Sequence, residues 1–297
     1  MAAPERVIGV DVGGTKILAG VVGRDGAVQR RREQATPVES QEALLAGLDE
    51  SVEEFLGEGI AALGFGIPSR VDQRTGRAHG SVNIPLEELG FRDRMRQRFG
   101  LPVGVDNDAN AAAFAEWRRG AGRGARTMVM LTLGTGVGAG FVLDGRPYRG
   151  WAEAGHMVVV HDGVPCPCGG RGHLESYCTG LAATEAARDA FGPAADSYSL
   201  LRMAEEGDER ARDVLDGIGR ILGSGIGSLV NLFEAERVVI GGGFGEAAFE
   251  HLVGAAREVA RREALEPADE QFEIVKAALD DAGLIGAGLI AFEALAA

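Results

Sequence analysis

One arrangement occurs twice in this chain. Residues 7–12 (Val-Ile-Gly-Val-Asp-Val) run apolar and β-branched into the turn Gly13-Gly14-Thr15-Lys16. Residues 17–22 run apolar again, and Asp25-Gly26 follows as a hairpin signal. Residues 127–133 read as another strand, residues 134–140 as a glycine-rich turn, Phe141-Val142-Leu143 as a return strand, and Asp144-Gly145 as the second hairpin signal. Each hairpin is followed by strand–helix alternation. A repeat of about 120 residues is too long for a solenoid unit, so two related α/β lobes with a cleft between them are expected. The length, 297 residues, suits two domains.

The rest of the chain fits that plan. Residues 40–56 carry Leu44, Leu45, Leu48, Val52, Phe55 and Leu56 at helical spacing. Residues 60–68 read as a buried strand, 86–99 as a charged helix, 101–105 as a short strand and 107–119 as an Ala-rich helix. Residues 148–173 are loop-rich and hold two of the three Cys. Residues 181 to 234 are helical, with breaks at 191–196 and at Gly207. A short strand at 238–240, a helix to Arg262, a strand at 272–275 and an apolar helix from Asp281 to the end complete the order.

Composition narrows the function. Thirty Lys+Arg stand against 44 Asp+Glu, a net charge of −14, which opposes binding to nucleic-acid phosphates. No apolar stretch reaches the ~18 residues of a membrane span. Glu5 interrupts the N-terminus before any apolar run, unlike a signal peptide. Three Cys make no disulfide framework, and the cytoplasm is the expected compartment.

Five strings bear on chemistry. Asp11 and the turn Gly13-Gly14-Thr15-Lys16 do not form a Walker A loop, because the glycine spacing is wrong and a strand follows. The turn can still offer bare N–H groups to a phosphate, and Asp11 can hold Mg²⁺; a plain hairpin turn is the bland alternative. Gly134-Thr135-Gly136-Val137-Gly138 matches a dinucleotide fingerprint as a string, but a strand follows here too, so a second phosphate-cradling hairpin is the better reading. Gly241-Gly242-Gly243 leaves room for a flat ligand, or else lets a helix pack on its strand. Asp106-Asn107-Asp108-Ala109-Asn110 sits at a strand end and helix start; capping explains one such residue, not four. A carboxylate there can serve as general base. Finally, His156, Cys166, Cys168 and His173 give four N/S donors within one loop region, which suits tetrahedral Zn²⁺. Reduced thiols and surface histidines are the alternative. Glu153 and Glu175 bracket the cluster and can present carboxylates to a polyol.

Taken together and in order, residues 11–16, 107–110, 132–140, 153–156 and 166–175 resemble the ROK family of sugar kinases, over essentially the whole chain. The resemblance implies a two-lobed actin-like ATPase fold of the hexokinase type, each lobe a mixed sheet flanked by helices. It implies a smaller N-terminal lobe, residues 1–118, to which a C-terminal helix at about 282–297 returns, and a larger lobe, 119–281, carrying the zinc loop. Asp108 matches the family's catalytic base. Asn83, in Val82-Asn83-Ile84-Pro85, and Asn107, Glu153, His156 and Glu175 match its sugar ligands, and Gly66 belongs to the loop over the sugar. Asp11, Gly13, Gly14, Thr15 and Lys16 match the first phosphate loop; Thr132, Gly134, Thr135, Gly136 and Gly138 match the second; Gly241, Gly242 and Gly243 would lie against the adenosine. Zinc would be structural, orienting His156.

Two positions depart from the family. His173 stands where a third Cys is usual, with Cys178 as the rival ligand, and Ser69 stands where many relatives have Gly. The implied reaction is Mg²⁺-assisted phosphoryl transfer from ATP to a hexose 6-hydroxyl, glucose first, in a homodimer without nucleic-acid or membrane partners. Other hexoses (N-acetylmannosamine, N-acetylglucosamine, fructose, allose), polyphosphate as donor, and a non-catalytic sugar sensor are the alternatives.

Overall fold

A computed structural model describes residues 6–57, 59–81 and 83–296. Val82, residues 1–5 and residue 297, on which parts of the expectations above fall, lie outside the described residues. The chain forms two compact units: Met1–Arg123 with Pro147–Trp151 and Leu279–Ala297, and Gly124–Arg146 with Ala152–Ala278.

The first unit runs β1 (Arg6–Val12), β2 (Lys16–Gly23), β3 (Val28–Ala35), α1 (Gln41–Glu53), β4 (Ile60–Ile67), β5 (Val71–Asp72), β6 (Arg77–His79), β7 (Glu88–Leu89), α2 (Phe91–Phe99), β8 (Val103–Asn107) and α3 (Asp108–Arg119). The second runs β9 (Met128–Leu133), β10 (Val137–Leu143), β11 (Arg146–Pro147), α4 (Gly180–Phe191), α5 (Ser197–Glu205), α6 (Glu209–Phe233), β12 (Arg237–Gly241), α7 (Gly243–Glu263) and β13 (Glu273–Lys276). The last helix, α8 (Ala282–Ala294), belongs to the first unit.

The two main sheets have one topology, β3-β2-β1-β4-β8 and β11-β10-β9-β12-β13. In the first, two antiparallel pairings are followed by two parallel ones; in the second, the antiparallel β10–β9 pairing is followed by two parallel ones. The repeat in the sequence is thus a repeat of architecture. β1 and β4 are almost wholly buried, as continuous apolar strands covered on both faces should be. β3 is the opposite: Arg30, Arg31 and Arg32 make it a charged, exposed edge that discourages further pairing. Ser40, Thr179, Asp196 and Asp208 cap their helices by accepting backbone N–H groups, which is why those helices start where the sequence suggests.

Three expectations change. The helix at 86–99 is shorter, α2 alone, because Glu88 and Leu89 pair with His79 and Ala78 in a three-stranded β5-β6-β7 sheet that no local pattern announces. The strand at 101–105 is shifted to Val103–Asn107, in parallel register with β4. The return strand of the second hairpin begins at Val137 rather than Phe141: residues 137–140 pair with 133–130, so half of the expected turn is ladder. The first unit also runs past residue 118. Glu116 accepts the N–H of Ala121, folding the turn after α3 back on that helix.

α8 lies flush against the first sheet. A methyl at Gly64 of β4 would stand 1.8 Å from the Ala287 carbonyl, and one at Gly286 1.8 Å from the Ala111 carbonyl of α3. Backbone therefore packs on backbone, which only glycine permits. Among the described residues, no helix is long and apolar enough to cross a membrane.

Candidate active site

In the first unit, sheet register gathers the acids. Asp11 pairs with Gly66 and Gly66 with Asp106, so one rung crosses β1, β4 and β8 near their C-terminal ends. Open α/β sheets bind ligands at that edge. Gly66 is buried, and a methyl on it would lie 3.4 Å from the Asp108 Cα and 3.8 Å from Asp11 Oδ1. The glycine thus leaves room between the Asp11 carboxylate and the backbone of Asp108. Burial pushes the Asp11 carboxyl up to about 7; the Asp108 charge, and less strongly Asp281, act the same way, against the opposing Lys16 cation. Its other neighbour is the first turn of α8, where a methyl at Gly283 would collide with Asp11 Oδ2 at 2.3 Å.

The first hairpin turn is closed by Gly13 N–H donating to the Lys16 carbonyl at 2.8 Å. Thr36 Oγ1 donates to the Gly13 carbonyl (2.8 Å) and Thr36 N–H to that of Thr15 (3.0 Å). Gly14, Thr15 and Lys16 are exposed, with Lys16 paired to Glu33 at 2.9 Å on the surface. Such a pair is worth little, so the ammonium can exchange it for another anion. The loop with exposed Asn83 lies close by: a methyl on Gly14 would stand 3.5 Å from the Asn83 carbonyl. Ser69 is buried and donates to the Gly80 carbonyl at 2.7 Å, joining the loop after β4 to the approach of Asn83.

The polar run at the β8–α3 corner divides its labour. Asn107 is the N-cap of α3, its Oδ1 accepting from Ala109 (2.9 Å) and Asn110 (3.2 Å). Only its amide nitrogen, 3.5 Å from the Ser69 carbonyl, remains to meet a substrate. Asp108 accepts the Ala109 N–H at 2.9 Å. Asp106, a member of the polar run, is buried and forms an ion pair with half-buried Arg149, which the sequence did not mark as functional.

The second unit repeats the rung. Thr132 pairs with Gly138 on one side and Gly241 on the other, the register position that Asp11 holds in the first sheet. Gly134 N–H donates to the Gly136 carbonyl at 2.9 Å, closing the second turn, and nothing lies within 4 Å of a methyl built on Gly134. Gly242 has φ +82°, and a side chain there would strike the Leu133 carbonyl at 2.6 Å. Its glycine is demanded by packing. Gly243, at the start of α7, is open.

The cysteine loop sits on this hairpin. Glu175 Oε2 accepts the Val137 N–H at 3.0 Å, and Cys166 Sγ lies 3.9 Å from Glu175 Oε1. Glu175 is therefore a clamp between loop and hairpin. The donor atoms of His156, Cys166, Cys168 and His173 all lie within 4.8 Å of one another. Cys166 Sγ is 3.9 Å from His156 Nδ1, and Cys168 Sγ 3.3 Å from His173 Nδ1. Two thiolates and two imidazoles so close fit one tetrahedral Zn²⁺. Cys178 is outside the group: it is fully buried, donates toward the Ile218 carbonyl, and its thiol is pushed far up by burial. With Nδ1 turned to Cys166, His156 keeps Nε2 for another partner. Glu153 is exposed immediately before this turn.

A model of the ROK family matches residues 7–294. The glucokinase of Thermotoga maritima is 33% identical over 308 residues, covering 96% of this chain and 96% of its own. The N-acetylmannosamine kinase of Shigella flexneri is 31% identical over 296 residues, covering 96% and 98%. The crystal structure of a ROK family glucokinase from Streptomyces griseus in complex with glucose and AMPPNP matches with a TM-score of 0.83 at 32% identity, covering 97% and 99%.

Proposed function

This chain belongs to the ROK family, and on that footing we propose that it transfers the γ-phosphoryl group of ATP to the 6-hydroxyl of a hexose, glucose before others. The observation that carries the reading is the pair Asp11 and Asp108 flanking Gly66 at the strand ends. A sugar hydroxyl is a weak nucleophile, and Asp108 takes its proton. Asp11 holds Mg²⁺, which neutralises charge on the phosphates; a carboxylate destabilised by burial and by a second acid suits a cation. The N–H groups of the 13–16 and 134–138 turns bind phosphate oxygens. Gly243 and its open surroundings favour the adenosine side.

Asn83, Asn107, Glu153 and His156 bind the sugar hydroxyls. Glu175 spends Oε2 on the hairpin, and Oε1, beside the Cys166 sulfur, is the oxygen that meets the sugar. Zinc on His156, Cys166, Cys168 and His173 is structural: the set is complete with protein donors, and it orients His156. The same reading carries a homodimer in the cytoplasm.

The test is a coupled assay of the purified protein with ATP and a panel of hexoses. Turnover of glucose above all others is expected; turnover of none rejects the reading. The 31% identical N-acetylmannosamine kinase supports a second substrate, and faster turnover of that sugar than of glucose would select it.

A further inference from the structure

Asp106 stands on the rung of Asp11 and Gly66, one residue before the corner that carries Asn107 and Asp108, and its side chain is only 2% exposed. A carboxylate this buried keeps its charge only against a cation or several N–H donors. It has both. Oδ1 accepts from the Asn107 N–H (2.8 Å), Gln73 Nε2 (3.0 Å) and Asn110 Nδ2 (3.0 Å). Oδ2 accepts from Arg149 Nη1. The other arm of that guanidinium, Nη2, reaches Glu293 on α8, and the group lies 4.9 Å over the Phe114 ring of α3. Arg149 comes from Pro147–Trp151, a five-residue segment that joins the first unit between two stretches of the second.

We propose that Arg149 is a positioning residue for phosphoryl transfer: through Asp106 its guanidinium holds the β8–α3 corner, and with it Asn107 and Asp108. The proposal rests on the hexose-kinase reading. Without the guanidinium, Asp106 Oδ2 is a buried charge with no cation beside it. The side chain then turns toward water. That change disturbs the acceptor of the Asn107 N–H and loosens the turn that presents Asp108. A base must stand within hydrogen-bond reach of the hydroxyl it serves, and a misplacement of ~1 Å costs on the order of 10²-fold in rate. Glu293 is half exposed, so that arm contributes little.

The test measures kcat, glucose KM and melting temperature for the wild type, R149M, R149K and E293Q. Met keeps an apolar stem over Phe114 and loses the charge. For R149M, kcat should fall by about 10- to 100-fold with glucose KM within about threefold, because the damage falls on the reacting geometry. R149K restores a cation to Asp106 and should recover most of the loss; E293Q should stay within about twofold of wild type. Wild-type kcat in R149M overturns the proposal. So does E293Q as slow as R149M, which would make docking of α8 the cause. Should R149M not fold, R149Q, which also loses the charge, decides: a loss of kcat of about 10-fold or more at unchanged KM supports the role, and a wild-type kcat overturns it. A wild type that phosphorylates no hexose removes the kinase reading itself, and this proposal with it.

Discussion

Asp108 and Asp11 are chemically alike and placed for different work. Asp108 opens α3 beside Gly66, and the proposed reaction asks it to accept a proton there. Asp108→Asn keeps the shape and loses the proton acceptor; kcat should fall on the order of 10²- to 10⁴-fold while calorimetric glucose binding persists. Near-normal turnover would show that another group takes the proton. Asp11 carries a stability cost that ligand-free protein should reveal. Its carboxyl titrates near 3.8 ordinarily and is pushed up to about 7 in the fold, by burial first and the Asp108 charge second. Between those values the folded chain holds a proton that the unfolded chain has released. Stability therefore falls as pH rises from about 4 to about 7, by about 1.4 kcal/mol per unit of difference, and the deficit persists in full above 7. Asp11→Asn removes the titration. Without ligands it should melt higher than wild type at pH 8 and show a flatter melting profile, while losing turnover. Equal slopes for the two proteins would refute this account of Asp11.

At the scale of elements, the cysteine loop supports the proposed site residues of the second unit and α8 those of the first. Cys166→Ser removes one of four donors, and Glu175 and the second hairpin lie next to that sulfur. Purified wild type should contain about one zinc per chain and the variant much less, with weaker glucose binding as His156 loses its orientation. Metal-free variant protein that binds glucose normally would make zinc irrelevant to the sugar. α8 depends on glycine in the strands beneath it. Gly64→Ala forces a methyl into the Ala287 carbonyl and should cost about 1–3 kcal/mol or more. Gly57→Ala, with nothing within 4 Å, should stay within about 0.5 kcal/mol of wild type in denaturant melts. Much of this was legible in the sequence. The hairpins, the breaks at 191–196 and Gly207, and the Cys/His donor set are local chemistry written in consecutive residues. The β5-β6-β7 sheet was not, because its strands are two or three residues long and exist only by pairing. Nor were the ion pair of Asp106 with Arg149 or the contact of Gly283 with Asp11: their partners are far apart in sequence and ordinary in composition. Three adjacent glycines at 241–243 looked alike, yet packing demands Gly242 and leaves Gly243 open.

At the scale of the whole molecule, the doubled topology is closed differently in its two halves. The first unit is made from both ends of the chain: β1 begins it, and α8 packs against β1, β4, β8 and α3 only after Leu279–Ala297 has arrived. Such contacts are of the longest range a chain can make, so they form late. The second unit contains its own strands, helices and donor loop between residues 124 and 278. The two halves should therefore part company when the last helix is removed. A chain ending at Ala278 loses the residues that cover Val7, Leu18, Val22 and Ala62, and the Gly283 turn beside Asp11. Exposed apolar surface of that kind binds anilinonaphthalene sulfonate and promotes association. The truncated chain should bind the dye strongly, phosphorylate no sugar and still retain about one zinc per chain, since every donor lies in the second unit. A truncated chain that stays dye-free and melts cooperatively like wild type would mean that the first sheet folds without its C-terminal helix. Loss of zinc together with activity would mean instead that the second unit depends on the first.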